Sequence, residues 1–461
     1  MHVITRRDRA FAAVLLGMAM AQLDGTVVVA ALPTLARELD AGAAVVGVSA
    51  AYLLTVTIAT PILARLGDLH GRRVVTLGSI AVFAAGSAAC AVAPGIEALI
   101  AARAVHGVGG SGLIVGAIAA LGELFDKAEL IRRQGWQTAL FAVSALGGPP
   151  VGGLLTGGPG WRWIFLLNLP LCVLAFVLGA RGLPGRVADR PPRSFDVRGS
   201  LLVAVAGTAV VALGSVEGLA RSPLWTPLLL GTAVLAGAGF VVVQRRSANP
   251  LIPPKVFADP VVARSVLVTA LCGLALFGTF TYVSLVIAAG SDGDPARTGL
   301  LLTAMTAGQL AVSVSFAVLA RRWPRMVPWG RLGCALGVVG LALLAVSPHV
   351  SGLATLIPGL ALIGASFGLC ASAYTLLGQS RAAIDVMGAT MGAFSFARQA
   401  GGVLGVAVFG WLAVLVTGSL GKAGLTVVFA AAAFVMLAAL CVSPRSAGEA
   451  VTSSSPVSSA S

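Results

Sequence analysis

Two ionisable residues in this sequence stand where charge is expensive. Asp24 lies inside an apolar run, 10–36, and Arg103 inside another, 96–122. A charged side chain at lipid depth costs about 2.5–3.5 kcal/mol on insertion scales, so such residues mark function by default. Asp24 is 14 residues in from Ala10, about 21 Å at 1.5 Å per residue. That leaves it about 9 Å short of the far edge of a ~30 Å hydrocarbon core. Arg103 is 7 residues into a run that descends from that same edge at Ile96, about 10 Å. The depths agree, so an Asp24–Arg103 couple needs only lateral proximity. A carboxylate facing a guanidinium there can take up a proton and release its partner, the chemistry of a proton-driven switch. A fixed ion pair that only holds two helices together is the other reading. His106, one turn from Arg103, either tunes the couple or packs as a neutral ring.

The elements that must position these residues follow from composition. Of 461 residues, 57% are AVILMFWYC, a further 58 are Gly, only 10% are charged, and the mean hydropathy is +0.96. A soluble domain carries about 45–50% apolar residues and far more charge, so a soluble enzyme and a disordered chain are both excluded. A polytopic helical membrane protein remains, because a span needs about 20 apolar residues. Apolar runs lie near 10–36, 41–64, 74–94, 96–122, 134–157, 161–180, 199–219, 224–243, 261–289, 297–320, 326–347, 351–377, 388–417 and 424–443. The expected fold is all-α with fourteen transmembrane helices, two six-helix bundles plus two linker helices. Residues 1–182 form the first bundle, 183–260 the linker with spans 7 and 8, 261–443 the second bundle, and 444–461 a Ser-rich disordered tail. Arg6, Arg7, Arg9 and the Ala19-Met20-Ala21 pattern mimic a signal peptide, but the apolar run continues to Leu35 and reads as an uncleaved first helix.

The net charge of +14 is a topology signal rather than a nucleic-acid footprint. With the N-terminus in the cytoplasm, 24 of the 31 Lys and Arg fall in cytoplasmic segments. Five face outward (Arg37, Arg162, Arg221, Arg297 and Lys422), and Arg103 and Arg398 lie within spans. That bias places both termini in the cytoplasm of an inner, plasma-membrane protein. The six Cys are scattered singly through apolar runs. Their chain spacing suits neither a disulfide framework nor a metal cage and reads as packing.

Glycines shape the spans. The run Gly107–Gly112 matches G-x-G-x-x-G, yet it lies within a membrane span with no preceding strand, so close helix packing is its role. The Gly148-Pro149-Pro150 break loosens the fifth span where two moving halves could touch. The 6 + 2 + 6 arrangement, with Gly-rich fifth spans in both sets, suggests parallel repeats around a midplane cavity, as in rocking secondary transporters.

Five motifs in order resemble the major facilitator superfamily, specifically its fourteen-span drug:proton antiporters. Leu23–Pro33 resembles the first-helix motif lDxTivnvALP, with Val29 where Asn is usual. Ala64–Arg73 is similar to the loop motif between helices 2 and 3, departing at Ala64 and Leu69. Ala102–Gly107 is similar to RxxqG of helix 4, with His106 in place of Gln. Gly148–Gly153 resembles gPxxGG of helix 5, and Trp161–Phe165 with Asn168 and Pro170 the start of helix 6. The resemblance implies that Asp24 and Arg103 form the proton-coupling pair with His106 beside it. It implies a cytoplasmic gate of Asp68, Gly71, Arg72 and Arg73, for which Glu123 and Asp126 are available partners. It also implies an exporter signature at Gly148, Pro149, Gly152 and Gly153.

Expected partners are a lipophilic small molecule, protons and membrane lipids, with no nucleic acid, and the chain is expected to be a monomer. No cofactor is expected: the chain has no G-x-x-x-x-G-K-[ST] loop, so the energy source is an ion gradient. No carboxylate falls within a span of the second bundle, where Arg398 is the only intramembrane charge. A dication would find one buried anionic partner at most, which favours neutral or singly charged lipophiles. Candidate cavity residues are Gln22, Gln137, Asn168, Tyr282, Gln309, Tyr374, Arg398 and Gln399. The function expected is proton-coupled export of drugs or natural products. Proton-coupled import of a nutrient is an alternative, and a non-transporting enzyme or receptor another, for which no catalytic constellation is present.

Overall fold

The computed structural model describes residues 5–124, 140, 143–144, 146–185, 196–215, 222–247, 250, 254–290, 294–323, 325–349, 354–382 and 387–445. All secondary structure among the described residues is helical. In lipid every backbone N–H and C=O must be satisfied within its own segment, and the helix alone does this for an isolated apolar run.

The first set comprises α1 (Arg6–Glu38), α2 (Val46–His70), α3 (Arg72–Ala91), α4 (Ile96–Leu124) and α5 (146–157). Its last helix, α6, is built of Arg162–Leu166 and Asn168–Gly182. Two helices follow, α7 (Val197–Ser215) and α8 (Trp225–Arg246). The second set opens with α9, in which Pro260–Cys272 passes through a π-helical turn, Gly273–Phe277, into Gly278–Gly290. Then come α10 (Pro295–Arg322), α11 (Met326–Val346), α12 (Leu356–Arg381), α13 (Met387–Thr417) and α14 (Lys422–Val442). Among the described residues twelve helices are long and apolar enough to cross a membrane, and Arg198–Leu213 is a shorter apolar helix. The beginning of the expected fifth span lies outside the described residues.

Local chemistry sets the helix ends. Thr5 and Asp8 form a capping box at α1: the Asp8 N–H donates to the Thr5 hydroxyl at 3.2 Å and the Thr5 N–H to Asp8 Oδ2 at 3.2 Å. Asp259 and Asp294 cap α9 and α10 just ahead of Pro260 and Pro295, where the missing proline N–H costs nothing. Gly71 alone separates α2 from α3 at φ 92°, ψ 145°. Only glycine reaches that conformation without strain, so this member of the expected gate motif is the hinge that folds α3 back on α2.

One apolar core runs through both sets, from Val27–Leu35 of α1 to Val428–Ala439 of α14. Small residues bring the helices together. A Cβ on Gly86 of α3 would stand 2.5 Å from the His106 Cα, and one on Gly107 2.7 Å from the Tyr52 carbonyl oxygen. The Gly107–Gly112 run is thus a packing surface against α2 and α3, as small residues in membrane helices generally are. α7 packs on α2, α13 and α8, wedged beside the junction of the two sets. α8 presents nearly all its surface outward, with only Ala236 and Gln244 buried. Gln244 donates to Asp196 Oδ2 at 2.5 Å, and Gly199 N–H to Asp196 Oδ1 at 2.8 Å, fastening α8 to the start of α7.

Candidate functional site

Asp24 and Arg103 face each other across the contact of α1 with α4, where a Cβ on Gly17 would stand 3.4 Å from the Leu113 side chain. The depths expected from the sequence are therefore matched laterally. Arg103 Nη1 donates to Asp24 Oδ2 at 2.7 Å, with both side chains almost wholly enclosed. Arg103 Nε donates to the Val48 carbonyl at 3.4 Å. Its guanidinium lies 4.2 Å from the Tyr52 ring centroid and 5.8 Å from that of Phe165, within cation–π range. Asp24 Oδ1 is buried without a hydrogen-bond partner.

His106 completes the cluster. Arg103 Nη1 is 2.9 Å from His106 Nδ1. A guanidinium only donates, so Nδ1 accepts and the ring proton resides on Nε2. His106 Nε2 is buried without a partner, and the ring packs 4.0 Å from the Phe83 centroid. The ring is thus packed and also contacts the pair directly, its Nδ1 standing 3.7 Å from Asp24 Oδ1.

A cavity of roughly 350 Å³ lies beside this cluster, between the two sets. Arg103 forms part of its wall, together with Gln22, Thr26 and Tyr52 from the first set. The second set contributes Gln309, Arg398 and Gln399 among aromatic and aliphatic residues. No Asp or Glu lines it among the described residues. Of the expected cavity residues, Gln22, Gln309, Arg398 and Gln399 are on the wall, and Gln137 lies outside the described residues.

Three are elsewhere. Asn168 is buried at the start of the second part of α6, donating to Ser87 Oγ at 3.1 Å, while Ser87 donates to the Phe165 carbonyl at 2.8 Å. Tyr282 is wholly buried between α9 and α13, its hydroxyl donating to the Val406 carbonyl. Tyr374 is buried between α12 and α14, 2.8 Å from Ser443 Oγ. Each tyrosine hydroxyl finds a hydrogen-bond partner within the bundle, so neither needs the cavity. Of the chain's three tyrosines, the cavity takes the one absent from the expected set, Tyr52. Its signal was the single aromatic ring in the apolar run 41–64.

The gate motif is only partly described. Arg72 Nη1 donates to the Ala64 carbonyl at 3.2 Å and Arg73 Nη2 to the Ala180 carbonyl at 2.7 Å, tying this end of α3 to α2 and α6. The side chains of Asp68 and Glu123, and all of Asp126, lie outside the described residues. The helix 5 motif has a defined setting. Gly148 packs against the Thr26 side chain, and Gly152 faces the Val27 carbonyl of α1. Gly153 meets α10, where a Cβ would come 2.5 Å from the Pro295 carbonyl oxygen and 3.1 Å from the Gly299 Cα. The Pro149 carbonyl in turn faces Gly299. α5 is therefore a glycine-to-glycine bearing between the two sets.

The chain spacing of the cysteines concealed one cluster. Cys272, Cys334 and Cys370 bring their sulfurs within 4.8 Å of one another, with 3.8 Å between Cys334 and Cys370 Sγ. The reading from spacing, which treated them as isolated, is corrected: helices α9, α11 and α12 assemble them, and all are free thiols.

Comparison with known proteins bears on this arrangement. The sequence model of the Major Facilitator Superfamily matches residues 14–406. An uncharacterized MFS-type transporter of Mycobacterium tuberculosis is 32% identical over 89% of this chain, which spans only 60% of that relative's length. The multidrug resistance protein Stp of Mycobacterium tuberculosis is 31% identical, with 86% of this chain and 74% of the relative covered. The tetracenomycin C resistance and export protein of Streptomyces glaucescens is 30% identical, covering 87% and 74%. Among solved structures, a peptide transporter POT in complex with sulfate superposes at a TM-score of 0.69 with 17% identity, covering 95% of this chain and 94% of that one. At that identity the likeness speaks for the fold. The family and these named relatives are transporters, not enzymes.

Proposed function

Because the chain belongs to the major facilitator superfamily, we propose that it is a proton-coupled secondary transporter exporting hydrophobic small molecules by alternating access. The observation that carries this reading is the Asp24–Arg103 pair, at 2.7 Å, enclosed beside the central cavity with one carboxylate oxygen free of hydrogen bonds and 3.7 Å from His106 Nδ1. A proton on that oxygen neutralises Asp24 and leaves Arg103 to its remaining partners, the Val48 carbonyl, His106 and the Tyr52 ring. The change alters the balance between two packings of the bundle, which is what a coupling ion must do.

Direction and topology extend the proposal. Relatives named for multidrug resistance and for tetracenomycin export favour efflux, as does the Gly148–Gly153 motif. The helices α1 to α14 correspond to fourteen spans of the drug:proton antiporter type, with both termini cytoplasmic by the Lys/Arg bias. On that topology the α5–α10 bearing and the contact of Ala43 with Val414 close the outer end of the bundle. The cavity then belongs to the conformation loaded from the cytoplasm or the inner leaflet.

Everted membrane vesicles with an acidic lumen test this. A lipophilic fluorescent dye should accumulate in the lumen, a protonophore should abolish the accumulation, and Asp24→Asn should reduce it to the level of empty membranes. Accumulation by Asp24→Asn equal to the parent would remove the coupling role, and gradient-driven movement the other way would make the protein an importer.

A further inference from the structure

We propose that Arg398 is the receptor for an acidic group on the transported molecule, so that the favoured substrates are lipophilic organic monoanions, a carboxylate or phenolate on an apolar body. This rests on the transport reading above and adds to it the sign of the substrate's charge.

Arg398 is without a partner among the described residues. It stands on the cavity wall of α13 beside Ser395 and Gln399. Its side chain has no hydrogen bond or ion pair with any described residue, and its Nε is buried without an acceptor. A guanidinium carries five N–H donors in a rigid fork that matches a carboxylate. Leaving such a group uncompensated in a low-dielectric interior is costly, so an unpaired one facing a cavity marks the place of a ligand.

The charge census of the cavity gives the ligand's sign. The other guanidinium on the wall, Arg103, is already neutralised by Asp24 at 2.7 Å. No carboxylate lines the cavity among the described residues. Among the described residues the wall thus carries one net positive charge, at Arg398, and a cationic drug would meet repulsion there.

The rest of the wall describes the ligand's body. Phe277 and Phe367 meet edge to face at 4.9 Å between ring centroids. Phe280, Leu276 and Met305 extend that surface. An amphiphile with one anionic end and an aromatic or alkyl body fits both features.

Arg398 is also held firmly. A Cβ on Gly273, within the π turn of α9, would stand 3.0 Å from the Arg398 Cα, and Gly401 is pressed as closely on the Ala270 carbonyl. The backbone beneath the guanidinium is thus clamped by a glycine-lined crossing of α9 and α13. Placement on a rigid element is what charge recognition requires.

The test is equilibrium binding to the purified full chain in detergent, with no gradient, by fluorescence of three probes of one shape: 1-pyrenebutyrate, its primary amide and 1-pyrenebutylamine. The parent should bind the carboxylate at least 10-fold more tightly than the amide, with the amine weakest. Arg398→Gln should bring carboxylate and amide within about 2-fold of each other. Arg398→Lys, which keeps the charge and guards against a folding artefact, should retain a preference of several-fold. No carboxylate preference in the parent, or one unchanged in Arg398→Gln, overturns the proposal. Asp24→Asn should keep or raise the preference while abolishing gradient-driven transport. Loss of gradient dependence in the parent, with the preference intact, would refute the transport reading and leave Arg398 as an anion site.

Discussion

Arg103, fully buried, and Arg398, half-buried, stand one in each set of helices, and both reach the same cavity. They differ in company. Arg103 has a carboxylate at 2.7 Å, an imidazole nitrogen at 2.9 Å, a backbone carbonyl and a tyrosine face. Arg398 has no partner among the described residues. A paired buried charge can be switched by one proton, because its partner's charge is what the proton removes. An unpaired one cannot be switched that way, but it stands open to an incoming anion. On the function proposed above, the contrast divides labour across the cavity: energy coupling in the first set, recognition of the cargo in the second.

The largest effect is expected from breaking the paired side. Removing one member of a buried ion pair strands the other charge, a loss of about 3–5 kcal/mol. Arg103→Ala should therefore unfold at clearly lower temperature and lose transport altogether. The double variant Asp24→Asn/Arg103→Gln strands no charge and should recover most of that stability while staying inactive in gradient-driven accumulation. Recovery of transport along with stability would mean that the pair only holds helices together.

Next comes the bearing on which the two sets meet. Gly153→Leu has no room against Pro295 and Gly299. It should reduce transport at least 10-fold while leaving the carboxylate preference of binding within about 2-fold, because the cavity wall is untouched. Equal losses in transport and binding would show that the bearing shapes the cavity instead.

His106 sharpens the paired side with a smaller effect. His106→Gln keeps an acceptor within reach of Arg103 and should leave transport within about 3-fold of the parent. His106→Leu removes the acceptor and should fall further, by about 10-fold, when both are measured by dye accumulation.

The smallest effect concerns an ion pair away from the cavity. Arg381 Nε lies 2.6 Å from Asp259 Oδ2 at the partly exposed start of α9. Burial works to raise the Asp259 carboxyl, but the hydrogen bond from Arg381, the Val261 N–H and the Arg381 charge outweigh it and hold it below its ordinary value. A carboxyl lowered in the folded state contributes stability above its unfolded value and loses it as the pH falls through the lowered one. Arg381→Ala should cost about 0–1 kcal/mol at neutral pH. The gap from the parent in thermal unfolding should close only in acid below the usual carboxylate range.

Much of this was legible before any coordinates. Depth along a helix is a matter of counting residues, so Asp24 and Arg103 could be placed at one level from the sequence. A contact of moving halves could be suspected at the Gly148-Pro149-Pro150 break, and the Pro149 carbonyl does face Gly299 of α10. The cavity wall was harder to read. Gln22, Gln309, Arg398 and Gln399 reach it, whereas Asn168, Tyr282 and Tyr374 turn to hydrogen-bond partners on neighbouring helices. The helices are apolar nearly all round, since lipid and protein interior are alike to a hydrophobic side chain, so periodicity gives no facing.

By itself the sequence determined the helical class, most spans and the level along their helices at which the two charges stand. These depend on local composition against a slab of fixed thickness. The tertiary structure alone decided which residues at one depth become neighbours: that Arg103 is matched and Arg398 is not, that Tyr52 rather than Tyr282 reaches the cavity, and that three distant cysteines converge. Lateral neighbours come from how separate helices pack through small residues, and no single stretch of chain records that.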